Sequence, residues 1–293
     1  MTKSLLEAAR TSSAARMRVL ATRMGLCARA ARSPYRFTLR EIWSDDPALG
    51  WVSPKIEVIG RDASLLELKL GQVRFFWPVE FDPSDLPWLY NEVFRPAHKN
   101  AHAYEYGQVE IAPGEWVIDG GAGEGFFTAY ALRRGASVLA IEPVESLCRA
   151  LARTFEIEIL QGRVRILQAC LGMRNSTAML DQRPRVCLSR VGEHGTEPVS
   201  AYAIDTVVSE GLLPKVGFIK MDLEGAEVDA LHGSVTTLAT FKPRLAIAVY
   251  HELDNAKLAR QVVLASRGDY VVMFRGMYGW DRCIPRPYML LAH

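Results

Sequence analysis

Four apolar runs in this 293-residue chain end in side chains able to carry charge or move a proton. Trp116-Val117-Ile118 runs into Asp119, and Val138-Leu139-Ala140-Ile141 runs into Glu142. Val216 to Met221 runs into Asp222, with Glu224 close behind, and Leu245 to Tyr250 runs into His251-Glu252. Buried parallel strands read as such runs, and charges at their carboxyl ends are costly unless they line a cavity. Asp222 or His251 is placed to accept a proton from a bound substrate, with Glu224 orienting it. Two carboxylates and an imidazole, Asp222, Glu224 and His251, could equally hold a divalent cation that acidifies a substrate diol. The plain structural alternative is that Lys220 pairs with Asp222.

Between the first two acids lies Gly120-Gly121-Ala122-Gly123-Glu124-Gly125-Phe126. Glycines let the backbone approach a nucleoside or phosphate closely at a helix N-terminus. Gly121, Gly123 and Gly125 run one residue short of the G-x-G-x-x-G spacing of a dinucleotide site. Asp119 before the loop would repel a pyrophosphate but suits a cation bearing an ammonium and a sulfonium. Glu142, about 20 residues past the glycines, stands where a carboxylate accepts from ribose hydroxyls. S-adenosylmethionine therefore fits this stretch better than a nicotinamide. The rivals are an NAD(P)-dependent oxidoreductase on a Rossmann sheet and a non-catalytic scaffold of the same fold.

The elements needed to position these groups follow from periodicity. From Glu115 onward strands and helices alternate, which predicts a parallel sheet with helices on both faces. A helix is expected over 146–155, a third strand over 164–170 whose Ala169 meets the adenine, and one helix after Gly225 carrying Val228, Leu231 and Val235 inward. An irregular excursion, with room for a hairpin, occupies 172–203. A helix over 255–266 and a closing pair of strands complete a seven-stranded, mostly parallel, Rossmann-like α/β fold of the class I methyltransferase type. Ahead of it, Ile56–Ile59, Leu66–Leu70 and Val73–Trp77 alternate as a small antiparallel meander. A helix follows through Trp88, Leu89, Val93 and Phe94, and the His- and Tyr-rich loop of 95–106 could fold over the site. The expected divisions are a basic arm over 1–50, the meander and lid over 51–106, and the catalytic domain over 107–293.

Composition sets outer bounds. At 49% hydrophobic and 23% charged residues the chain can bury one large core plus a smaller appendage. No apolar run reaches the roughly 20 residues that span a bilayer. Five scattered cysteines without a C-x-x-C argue for a reducing, cytoplasmic setting and against a zinc cluster. Residues 1–40 hold nine basic residues against Glu7, which leaves 26 basic and 32 acidic residues in the body. Such an arm suits a surface helix packed through Leu5, Leu6, Leu20 and Leu26, a peripheral membrane or other anionic contact, or a transit peptide. The acidic body, without an aromatic-interleaved basic stripe, argues against nucleic acid as the substrate. Assembly into a homo-oligomer is left open.

The runs VIDGGAGEGFFT, IEP (141–143), AIDTVV (203–208), FIKMDLEGAEVDALHG (218–233) and VYHE (249–252) together resemble the FkbM family of methyltransferases. The resemblance spans roughly 100–293 and is most specific in the K-x-D-x-E-G-x-E block. It implies methyl transfer from S-adenosylmethionine to a hydroxyl of a sugar, glycan or secondary metabolite. The chain departs from the family's usual first motif at Gly120 and at Gly123-Glu124, which puts an extra acid beside the cofactor. With the resemblance, the cofactor set reads Asp119, Gly120, Gly121, Ala122, Gly123, Phe126, Glu142, Pro143, Ala169 and Asp222, and the catalytic set Asp222, His251 and Glu224.

Overall fold

The computed structural model describes residues 24–38, 41–42, 54–183, 190–191, 195–279 and 284–293. Leu5, Leu6 and Leu20 lie outside these residues. Leu26 lies within a helical stretch over 24–30 and is buried against Ile42 and Met277.

The strands of the meander are β1 (Ile56–Arg61), β2 (Leu65–Leu70) and β3 (Val73–Pro78), antiparallel in that order. Alternation sends Leu68, Leu70, Phe75 and Trp77 to one face, where they pack with Phe126, Val144 and Leu147 of the following domain. The meander is thus seated on the catalytic domain through a shared core. Asp82 caps the next turn by accepting from the Ser84 N–H (2.9 Å), and helix α1 (Leu86–Phe94) follows.

The main sheet holds seven strands: β4 (Trp116–Gly120), β5 (Ser137–Glu142), β6 (Val164–Gln168), β11 (Val216–Met221), β12 (Arg244–Ala248), β13 (Val272–Tyr278) and β14 (Arg286–Ala292). Their spatial order is β13-β14-β12-β11-β4-β5-β6, and β14 alone runs antiparallel to its neighbours. Helices α2 (Phe126–Arg133), α3 (Glu145–Thr154), α4 (Glu156–Leu160), α5 (Ile204–Ser209), α6 (Glu227–His232), α7 (Val235–Phe241) and α8 (Asn255–Ser266) connect them. Leu245 through Ala248 are fully buried, as expected of a strand covered on both faces. From β4 the chain builds outward through β5 and β6, whereas β11 and β12 lie on its other side. The strand order reverses between β4 and β11, and a crevice opens at the carboxyl ends of strands at such a point.

One expectation is filled in and one is corrected. The stretch 172–203 carries the hairpin for which the sequence left room and more strand than expected: β8 (Ser176–Asp181) and β10 (Glu197–Tyr202) pair antiparallel, β10 also pairs with β7 (Cys170–Leu171), and β9 (Arg190–Val191) pairs with β8. The single helix after Gly225 is two, α6 and α7, parted at Gly233-Ser234, and Val235 is exposed rather than inward. A Cβ at Gly233 would lie 2.2 Å from the Gly172 carbonyl oxygen, so the chain there is held against the backbone beyond β7.

Candidate active site

The crevice at the β4–β11 reversal is a cleft bounded by three segments. One is the glycine loop from Gly121 to Glu124; another is the end of β5 with Glu142, Pro143 and Val144. The third is the turn after β11, with Asp222, Leu223, Glu224 and Ala226. Ala169, Cys170 and Leu171 extend the wall beyond β6, while Leu89, Glu92 and Val93 of α1 and Tyr104 close it from the N-terminal side.

The loop's path is dictated by close packing. Gly121 has φ +70°, and a Cβ there would sit 2.1 Å from the Asp222 carbonyl oxygen. The N–H groups of Gly121 and Ala122 both donate to the Ile141 carbonyl, and that of Gly123 donates to Glu142 Oε2 (3.0 Å). Glu142 Oε1 accepts from the Val144 N–H (3.1 Å). Burial pushes the Glu142 carboxyl up to about 7, against the pull of those two N–H groups. Glu124 is likewise pushed up to about 7 by burial.

Asp222 carries the richest set of partners. The Tyr104 hydroxyl donates to its Oδ2 (3.0 Å). His102 Nε2 lies 3.6 Å from Oδ2, and His251 Nε2 lies 3.6 Å from Oδ1. Burial raises the Asp222 pKa, but the His251 and Lys220 cations and the Tyr104 hydroxyl outweigh it and leave the carboxyl below its ordinary value. His102 is wholly buried among Tyr104, Tyr250 and Tyr288, and burial pushes it down to about 4, so it is neutral.

His251 behaves in the opposite way. Burial disfavours its charge, yet Glu227 Oε1 at 2.9 Å from Nδ1 and Glu224 Oε2 at 3.3 Å from Nε2, with Asp222, raise it well above the ordinary imidazole value. It is an imidazolium at neutral pH. Glu227 is fully buried; it accepts from the Leu223 N–H (2.8 Å) and so fixes the turn that presents Asp222 and Glu224. Glu224 takes a left-handed φ of +54° in that turn, a conformation non-glycine residues adopt mainly where surroundings enforce it. One atom each from Asp222, Glu224 and His251 lie within 4.8 Å of one another, a set with the chemistry to hold a divalent cation once the imidazolium proton leaves.

Residues 119–271, just over half of the chain, match the Methyltransferase FkbM domain. The chain belongs to the FkbM methyltransferase family. Among solved structures it is similar to a methyltransferase FkbM from Methylobacillus flagellatus KT, with a TM-score of 0.51 and 19% identity over 70% of this chain and 48% of that one. The chain thus spans about half the length of that protein, and the likeness shows a shared fold. A precorrin-6y C5,15-methyltransferase from Geobacter metallireducens GS-15 has a TM-score of 0.37 and 12% identity, over 62% of this chain and 80% of that one. An rRNA methylase from Streptococcus thermophilus has 0.38 and 15%, over 62% and 88%. No curated protein matches the sequence.

In this FkbM methyltransferase the cleft gathers Gly121, Ala122, Gly123, Glu142, Pro143, Ala169, Asp222 and Glu224 along its walls. Asp119, Gly120 and Phe126 are not among them. Asp119 is fully buried: its Oδ1 lies 3.0 Å from Lys220 Nζ and its Oδ2 accepts from the Thr128 hydroxyl (2.7 Å). Lys220 therefore pairs with Asp119 across the β4–β11 ladder rather than with Asp222. Phe126 packs beneath the meander against Phe75 (ring centroids 5.0 Å apart). His251 stands behind Asp222 and Glu224, outside the cleft lining. Sequence reasoning expected the loop carrying His102 and Tyr104 to fold over the site but gave neither residue a partner, and it assigned no role to Glu227. Glu227 was signalled as the last acid of the K-x-D-x-E-G-x-E block; nothing local in the sequence links residues 102 and 104 to Asp222, 118–120 positions later.

Proposed function

We propose that the protein moves a methyl group from S-adenosylmethionine to a hydroxyl of a sugar, glycan or secondary-metabolite acceptor. The observation that carries this reading is the charge balance of the cleft. Glu92, Glu124, Glu142, Asp222 and Glu224 line it with one cationic side chain, Lys220, whose ammonium is engaged elsewhere. A cleft with surplus carboxylate, floored by glycine backbone, suits a cationic nucleoside and disfavours a pyrophosphate.

When bound, the cofactor supplies a methyl group already activated by its positive sulfur. The chain's own residues have two tasks: to hold the partners in line, and to take a proton from a poorly acidic hydroxyl. Alignment is worth up to roughly 7–11 kcal/mol. The Gly121–Gly123 backbone and Glu142 are the groups that hold the nucleoside, with Glu142 accepting from ribose hydroxyls. Asp222 is the group that receives the acceptor's proton, since it faces the cleft in ionised form while His251 is already protonated. His251, fixed by Glu227, holds the Asp222 and Glu224 carboxylates in place. Asp222→Asn should lower turnover by about 10²–10⁴-fold, while calorimetric binding of S-adenosylhomocysteine stays near wild type. Full turnover in this variant would remove Asp222 from the mechanism.

A further inference from the structure

Glu124, the acid by which this chain departs from the first motif of its family, lines the cleft, where among the described residues only its own backbone N–H donates to it. It is half-buried on the glycine loop, between Gly123 and Gly125, whose positive φ values (+50° and +83°) turn the chain sharply on either side. Lys220 is close enough to influence it, as are Asp119 and Asp222. An ammonium, however, has three donors, and all three on Lys220 are engaged: by Asp119 Oδ1 (3.0 Å), the Gly120 carbonyl (3.0 Å) and the Gly121 carbonyl (2.7 Å).

The neighbouring acids are accounted for. Glu142 accepts from two backbone N–H groups, Asp222 from Tyr104, and Glu224 stands against His251. Among the described residues, no other residue donates a hydrogen bond to Glu124. Its carboxylate lines the cleft only half-buried, and the burial it has pushes it up to about 7. A cation brought by the ligand would offset that rise. Of the two cationic centres on S-adenosylmethionine, the sulfonium has no hydrogen to donate, whereas the α-ammonium has three and requires acceptors.

We infer that Glu124 is the counter-ion for the α-ammonium of the cofactor's methionyl half, the role the sequence assigned to Asp119. The inference rests on the cofactor reading above. Asp119 is fully buried outside the cleft lining, with Lys220 and Thr128 at its two oxygens.

Two thioether probes separate this contact from the rest of the site. S-adenosylhomocysteine carries the α-ammonium; 5′-methylthioadenosine keeps the nucleoside and sulfur but lacks the amino-acid end. Calorimetric titration of the full chain with each is done for wild type, Glu124→Gln and Glu124→Ala. Both variants should bind S-adenosylhomocysteine at least tenfold more weakly and 5′-methylthioadenosine within twofold of wild type, the latter showing an intact nucleoside site. Unchanged S-adenosylhomocysteine affinity overturns the assignment, and so does equal weakening of both probes in both variants. If wild type itself binds neither probe, the cofactor reading falls and this inference falls with it.

Discussion

Asp222 is contacted by two histidines that differ in charge. His251 is surrounded by carboxylates and is cationic; His102 is surrounded by tyrosine rings and is neutral, pushed down by burial to about 4. Because the unfolded chain would protonate His102 near 6.5, the unfolded state binds more protons than the folded one between about pH 4 and 6.5. Stability from this group is therefore present above 6.5 and is lost as pH falls toward 4, by at most about 3 kcal/mol. Glu124 and Glu142, pushed up to about 7, act with the opposite sign and cost stability as pH rises from 4.5 to 7. Comparing wild type with His102→Gln cancels the glutamates. Urea unfolding of the two should diverge in slope with pH between 4 and 6.5, the wild type losing stability faster on acidification; parallel curves would mean that His102 is protonated in the fold.

At this scale the sequence identified which residues carry charge but not which neutralise one another. Asp119 and Lys220 are register partners on adjacent strands, 101 positions apart, and their pairing depends on β11 lying beside β4. An acid at a strand end reads the same whether it faces a ligand or a buried lysine.

The turn after β11 and the glycine loop after β4 form one unit. The Asp222 N–H donates to the Gly120 carbonyl, the Asp222 carbonyl leaves no room for a Cβ at Gly121, and Lys220 ties both loop carbonyls down. Strands and their acidic ends were legible because buried parallel strands are continuous apolar runs. Breaks that depend on distant backbone were not, and the α6–α7 junction is the example: Val228, Leu231 and Val235 keep helical spacing, but Gly233 lies against the Gly172 carbonyl. Gly233→Ala should destabilise the fold by on the order of 1–3 kcal/mol, although Gly233 has an ordinary negative φ of −77°. Chemical denaturation would register this as a lower midpoint with an unchanged slope; an unaltered midpoint would show that the contact relaxes freely.

Across the whole molecule, the meander and α1 lie outside the match over 119–271, as do β13 and β14, yet α1 helps to build the site. Leu89, Glu92 and Val93 wall the cleft, and Tyr104 reaches Asp222 from the loop that follows. The alternation of strands and helices made the α/β class legible from the sequence. Docking of the meander was not, since Phe75 and Trp77 would look the same in a free-standing sheet. Among the described residues no helix is long and apolar enough to cross a membrane.

The central claim is that the cleft between β4 and β11 takes a cationic nucleoside in preference to a dinucleotide. Thermal unfolding with S-adenosylhomocysteine or NADH, each at about 100 times the dissociation constant expected for a cofactor, tests it directly. Saturation at that ratio adds about 2.7 kcal/mol, which for a chain of this size raises Tm by roughly 5–10 °C. The account predicts that rise with S-adenosylhomocysteine and none with NADH; stabilisation by NADH alone, or by neither, would contradict it.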